Sequence, residues 1–228
     1  MTGAREPEAG AVALSVSETA ALCLRAARGA GRDWAEAEEL GFAAAWLARH
    51  GLPGCDLACA LLHPAPPAWP GAEQKGPRGA TATCPIHAGL SLMDRAALPD
   101  GPAAMPIILR DLTAPGLILP FVTQAARLAG VAMRLETAGA TIAVHVTADG
   151  QIGPGAALVA LCRLPGADLH LSACADAAPA TRDMAPCHRR TATEAASLGR
   201  LNALALRATV PASETSRAGA GAESGDND

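Results

Sequence analysis

From His63 to Ala80 the chain reads HPAPPAWPGAEQKGPRGA, and no regular element can run through it. Proline removes a backbone donor and fixes φ, and the glycines add backbone freedom, so the stretch is a linker or a long surface loop. It constrains the fold because the hydrophobic period differs on its two sides. Before it, apolar residues recur at helical spacing; after it, short apolar runs and period-two alternation prevail. The chain therefore divides into a flexible N-terminus (1–13), a helical unit (14–62), the Pro/Gly-rich connection (63–80), an α+β body (81–210) and an acidic C-terminal segment rich in Gly, Ala and Ser (211–228).

In the helical unit, LSVSETAALCLRAARGA (14–30) opens with Ser15, which pairs with Glu18 as a capping box, and closes at Gly29 and Gly31. Asp33 caps a second helix in which Trp34, Ala37, Leu40, Ala44 and Leu47 share one face, and Gly51 ends it. Leu52–Pro53–Gly54 leads into a short third helix through Leu62. In the body, MPIILRDL (105–112) and LILPFV (117–122) read as short buried strands, with Pro106 and Pro120 at their edges or ends. A helical turn around Thr123–Ala129 follows. Alternation through Met133, Leu135, Ile142, Val144 and Val146 brackets a turn at Gly139. ALVALCRL (157–164) and DLHLSACA (168–175) complete a meander of about four strands, and ATEAASLGRLNALALR (192–207) is a final amphipathic helix. The fold class is α+β: an N-terminal helical unit, an antiparallel sheet of about four or more strands, and a C-terminal helix packed on the sheet.

Half of the 228 residues are apolar, but alanine is the commonest residue, there is no Tyr, and Phe42 and Phe121 are the only phenylalanines. Such a core gains little area per residue and depends on close helix approach. The formal charge is −4. Glu214, Glu223, Asp226 and Asp228 stand against Arg217 alone in the last 18 residues, leaving 18 acidic and 17 basic residues in the rest. A near-neutral body without basic clusters argues against nucleic acid as a partner. No apolar run reaches the length of a membrane span, and MTGAREPEAG lacks the features of a signal peptide, so the expected location is cytoplasmic. There the seven cysteines, odd in number and without framework spacing, are reduced thiols.

The opening LSVSETAALCLRAARGAGRDWAEAEELGFAAAWLARHGLPG and the ending RATVPASETSRAGAGAESGDND together resemble the family called domain of unknown function 3726. The ending follows that family's terminal pattern of Val-Pro-Ala-Ser, Ser-Arg, a Gly-Ala run and a closing Asp-Asn-Asp. The resemblance carries no activity with it. It implies that the terminal segment belongs to the domain.

Several groups of residues carry possible chemistry. Cys55, Cys59 and His63 lie at i, i+4 and i+8, so one helix face can present two thiolates and an imidazole to zinc. The plainer reading is that buried cysteines alternate with alanine in an Ala-rich core. Cys84-Pro-Ile-His87 and Cys187-His188 are further Cys/His pairs, able to act as metal ligands or as nucleophile and base if the fold brings them together. His145 and His170 fall in strand patterns and face the solvated side of the sheet. ARGAGRD (27–33) lies between helices, so its glycines are a helix terminus rather than a phosphate loop. The C-terminal segment offers Ser213 and Ser216 as hydroxyls, Arg217 as a clamp for a carboxylate or phosphate, and Asp226 and Asp228 as oxygen ligands for a hard cation such as Mg²⁺ or Ca²⁺. No catalytic motif is legible and no cofactor is named. The expectation is a protein that binds a small molecule, or an accessory protein without chemistry of its own, with a small anionic metabolite as the expected partner. The alternatives are an enzyme acting on such a metabolite, and a module that docks a partner subunit or a second copy through its C-terminal segment.

Overall fold

The structure is a computed structural model that describes residues 10–62, 83–174 and 188–209. Strand β1 (Ala11–Ser15) leads without a break into α1 (Val16–Gly29), followed by α2 (Trp34–Arg49) and α3 (Gly54–Leu62). The helix starts are those the sequence dictates. The Ser15 hydroxyl accepts from the Glu18 amide at 3.2 Å, and the Glu18 carboxylate accepts from the Ser15 amide at 2.7 Å, closing the capping box. Asp33 accepts from the Glu36 amide at 2.7 Å at the start of α2. Ser15→Ala is therefore expected to lower stability by about 1 kcal/mol, read as a shift of the urea midpoint at unchanged slope. Residues 11–13, assigned to a flexible start from the sequence, are ordered in β1, because β1 finds a partner far along the chain.

The small residues let the helices approach closely. Ala26, Ala27, Ala37, Ala43, Ala44 and Ala58 are fully buried. A Cβ on Gly54 would overlap the Ala44 carbonyl oxygen, and one on Gly41 would lie 2.9 Å from that of Ala20. The face predicted for α2 is buried at Ala37, Leu40, Ala44 and Leu47, but Trp34 is 60% exposed. Standing in the first turn, it lies along the surface under the Arg28 guanidinium, 5.6 Å from its ring, and donates to Glu38 at 2.7 Å.

The body holds α4 (Pro85–Arg95), β2 (Ile107–Thr113), a 3-10 turn (Pro115–Ile118), α5 (Leu119–Ala129), β3 (Met133–Thr137), β4 (Ala143–Val146), β5 (Ile152–Gly153), α6 (Gly155–Cys162), β6 (Gly166–Ala173), β7 (Arg190–Glu194) and α7 (Ala195–Arg207). Three expectations are corrected. Residues 117–122 form the 3-10 turn and the start of α5, not a strand, since Pro115 and Pro120 sit in first turns, where proline loses no intrahelical bond. Residues 157–164 belong mainly to α6, with Leu158, Leu161 and Cys162 buried at helical spacing. Residues 192–194 end strand β7, and the last helix begins at Ala195.

The larger sheet has five strands in the order β2-β6-β3-β4-β5, all antiparallel. The expected meander holds only for β3-β4-β5; β6 returns to lie between β2 and β3. Leu112, Met133, Leu135, Val144, Val146, Leu169 and Leu171 point inward, beneath the layer of α4, α5 and α6. The outer face carries Ile108, Arg134, Glu136, His145 and His170; His170 stands between Ile108 and Glu136, and Arg134 pairs in register with His145. A second sheet consists of β1 and β7, antiparallel, with Ala11 opposite Glu194 and Ser15 opposite Arg190. Directly after β7, α7 packs on α1 and α3. The α7 N-cap, Glu194, makes no side-chain cap; instead Asp56 of α3 accepts from the Glu194 amide at 3.2 Å. One apolar cluster runs from Leu22 on α1 through the sheet to Ala205 on α7. No helix among the described residues is long and apolar enough to cross a membrane.

Candidate functional site

Where α1 turns into α2 the backbone is tightly held. Gly31 has φ +88°, the Arg32 amide donates to the Ala27 carbonyl at 3.0 Å, and the Arg32 carbonyl accepts from Arg28 at 2.5 Å. With its main chain fixed, Arg32 turns its side chain inward and is 8% exposed. One turn into α2, Glu36 shares the same cleft, with Leu40 below it. Leu61 and Leu62 close the cleft from the end of α3, and Cys84 and Ile86 from the start of α4. His87, next on α4, bonds through Nε2 to Oε1 of Glu36. The cavity volume is about 10 Å³, the room of about one water or of one oxygen of a ligand head group.

Burial draws the Arg32 guanidinium below its ordinary range, opposed by the attraction of Cys84 where it is ionised and of the Glu36 carboxylate. The Cys84 thiol is pushed up to about 11, chiefly by burial, and is neutral at pH 7. The cleft thus presents a buried cation, a neutral thiol and a carboxylate already engaged by an imidazole. The pair Cys84 and His87 does share one helix turn, but Cys84 is not a thiolate nucleophile in this state.

The remaining predicted residues that are described do not gather at one place. Cys55 and Cys59 stand one turn apart on α3, both buried, and the sulfur that Cys55 meets is that of Cys23 on α1, at 3.9 Å. Cys55 is drawn down to about 7, first by the hydrogen bond from Cys23 and also by the hydroxyls of Thr193 and Thr19, against the effect of burial; Cys23 is held well above the ordinary thiol range. His63 and Cys187 lie outside the described residues, and so do Ser213, Ser216, Arg217, Asp226 and Asp228. Among the described residues no group of three His, Cys, Asp or Glu side chains is placed to hold a metal ion. His188 is exposed, its amide bonded to the Arg49 carbonyl at 2.7 Å. His145 and His170 are on the outer face of the sheet. Arg32 and Glu36 escaped the sequence reading because each looks like part of a helix start.

No curated protein and no solved structure matches the chain. The model of a family of unknown function, DUF3726, matches residues 14–73. That stretch covers α1, α2 and α3, includes Arg32 and Glu36, and does not reach the C-terminal segment. Over those residues the chain is similar to the DUF3726 proteins.

Proposed function

We propose that the protein binds a small anionic molecule, whose head group enters the cleft beside Arg32. The observation that carries this reading is an arginine only 8% exposed at the wall of a cleft, where its planar fork of donors suits the oxygens of a carboxylate or phosphate. The first turn of α4 lines the same cleft, and its partly positive end adds to the attraction. Binding is favoured over catalysis because the cleft's thiol is neutral and its imidazole is held by Glu36. Room for one oxygen atom means that the ligand's body lies outside the cleft, so a carboxylate or a phosphate ester fits and a bulky apolar group does not.

The test is a thermal-shift series with carboxylates and phosphate esters. A ligand at about 100 times its Kd adds roughly 2.7 kcal/mol, equivalent to several degrees in a chain of this size. Arg32→Met keeps the apolar stem and removes the charge, and is expected to abolish the shift. Arg32→Lys keeps the charge but not the bidentate fork, and is expected to reduce it. A ligand shift that persists in Arg32→Met, or a wild-type protein that responds to no anion, rules the reading out.

A further inference from the structure

Cys23 on α1 and Cys55 on α3 are 32 positions apart in sequence, yet their sulfurs lie 3.9 Å apart in the core. Cys23 donates its S–H to the Cys55 sulfur, and the side chains of Thr193 and Thr19 help to draw the Cys55 thiol below its ordinary range. Thr19 and Thr193 are themselves 2% and 3% exposed. A buried cysteine that serves only as a small hydrophobe needs no such partners. A donor aimed at a sulfur stabilises its thiolate. The neighbouring thiol stands at van der Waals distance, where it can react with that sulfur once it is oxidised.

We propose that Cys23 and Cys55 are an oxidisable pair: Cys55 is the attacking sulfur, Cys23 the resolving one, and the pair closes to a disulfide on reaction with a hydroperoxide. In the first step the Cys55 thiolate attacks one peroxide oxygen. An S–O bond forms, the O–O bond breaks, and the departing hydroxide takes up a proton to become water; the sulfur is oxidised and the peroxide reduced. In the second step the Cys23 sulfur attacks the Cys55 sulfenic acid. The S–S bond forms, the S–O bond breaks, and hydroxide leaves with the proton of Cys23 as a second water. For hydrogen peroxide the sum is two thiols and one peroxide giving one disulfide and two waters. The sulfurs must approach by about 2 Å to reach bonding distance, so closure requires side-chain rotation with movement of α3 against α1. Cys55 is 2% exposed, so the oxidant enters through local opening and the reaction is slow. The product ties α1 to α3 and encloses α2 in a covalent loop. Cys59, one turn further on α3, takes no part.

The experiment uses the full chain, reduced and freed of reductant, then treated with hydrogen peroxide at neutral pH. Aliquots are unfolded in guanidinium with an alkylating agent and mapped as peptides by mass spectrometry. The expected product joins the peptides of Cys23 and Cys55, is reversed by dithiothreitol, and leaves Cys59, Cys84 and Cys162 alkylated. Oxidised protein is also expected to melt higher than reduced protein. In Cys23→Ala, Cys55 is expected to be trapped as a sulfenic acid by dimedone. A disulfide between other cysteines, a sulfinic acid on Cys55 with no linkage to Cys23, or a pair still reduced after Cys84 and Cys162 have reacted would each overturn the proposal. The wild-type map decides this whether or not Cys23→Ala folds.

Discussion

Phe121→Ala is expected to destabilise the protein by about 4 kcal/mol, a fall in melting temperature of roughly 8–16 °C for a chain of this length. Phe121 is fully buried at the start of α5. Its ring meets Phe42 of α2 edge to face, with centroids 6.0 Å apart and planes at 74°, and it fills the space above Gly89 of α4. It therefore joins the helical unit to the body, and it is the one aromatic ring among the described buried residues of a core built mainly of alanine and leucine. Truncation removes the transfer free energy of the ring, the edge-to-face attraction and much of the packing between three helices, and it leaves a cavity that small neighbours cannot fill. The Gly89 position checks the cause. A Cβ there collides with the ring in the wild type, so Gly89→Ala alone destabilises. In the Phe121→Ala background the collision is gone, and the two changes are expected to couple favourably by more than about 1 kcal/mol. Denaturant unfolding of the four proteins measures this. Additive effects would show that the ring and the glycine do not share that space.

The parts of the fold legible in the sequence are those in which cause and effect are neighbours along the chain. Ser15 and Glu18 are three residues apart and Asp33 and Glu36 likewise, so the starts of α1 and α2 follow from local capping. The alternation of β3 and β4 is equally local. Where an element is buried on several sides its period disappears: LILPFV and ALVALC are apolar throughout, and only packing decides that both are helical. Strands β1 and β7 were not legible because each is marginal alone, and their pairing joins residues near opposite ends of the chain. The candidate site divides in the same way. Cys84 and His87 were picked out by residue type. Glu36 was hidden because Asp-x-x-Glu reads as a capping pair; only half of that pair forms, as the Glu36 side chain leaves its own helix end for His87 on α4. Likewise Cys55 and Cys59 were linked by helical spacing, whereas the sulfur that Cys55 meets belongs to Cys23, which no local pattern connects to it.

Gly29→Ala is expected to lower stability by about 3 kcal/mol, although alanine is the better helix former by about 1 kcal/mol in a helix interior. Gly29 ends α1 at its crossing with α7, and a Cβ there would overlap the Leu204 carbonyl oxygen. The obstacle is backbone rather than the tip of a flexible side chain, so relief requires α7 to move bodily, disturbing Leu201 and Leu204 and the start of the helix at β7. Gly199, in the exposed interior of α7, receives the same substitution with nothing within 4 Å of the new Cβ. There only the propensity term and the reduced freedom of the unfolded chain act, and Gly199→Ala is expected to raise stability by about 0.5–1 kcal/mol. The same added methyl group thus carries opposite signs at two glycines. Thermal unfolding of the two variants beside the wild type reads both. If Gly29→Ala proved neutral or stabilising, the close crossing of α1 and α7 would be wrong, and with it the account of how an alanine-rich core gains its stability from short distances rather than large side chains.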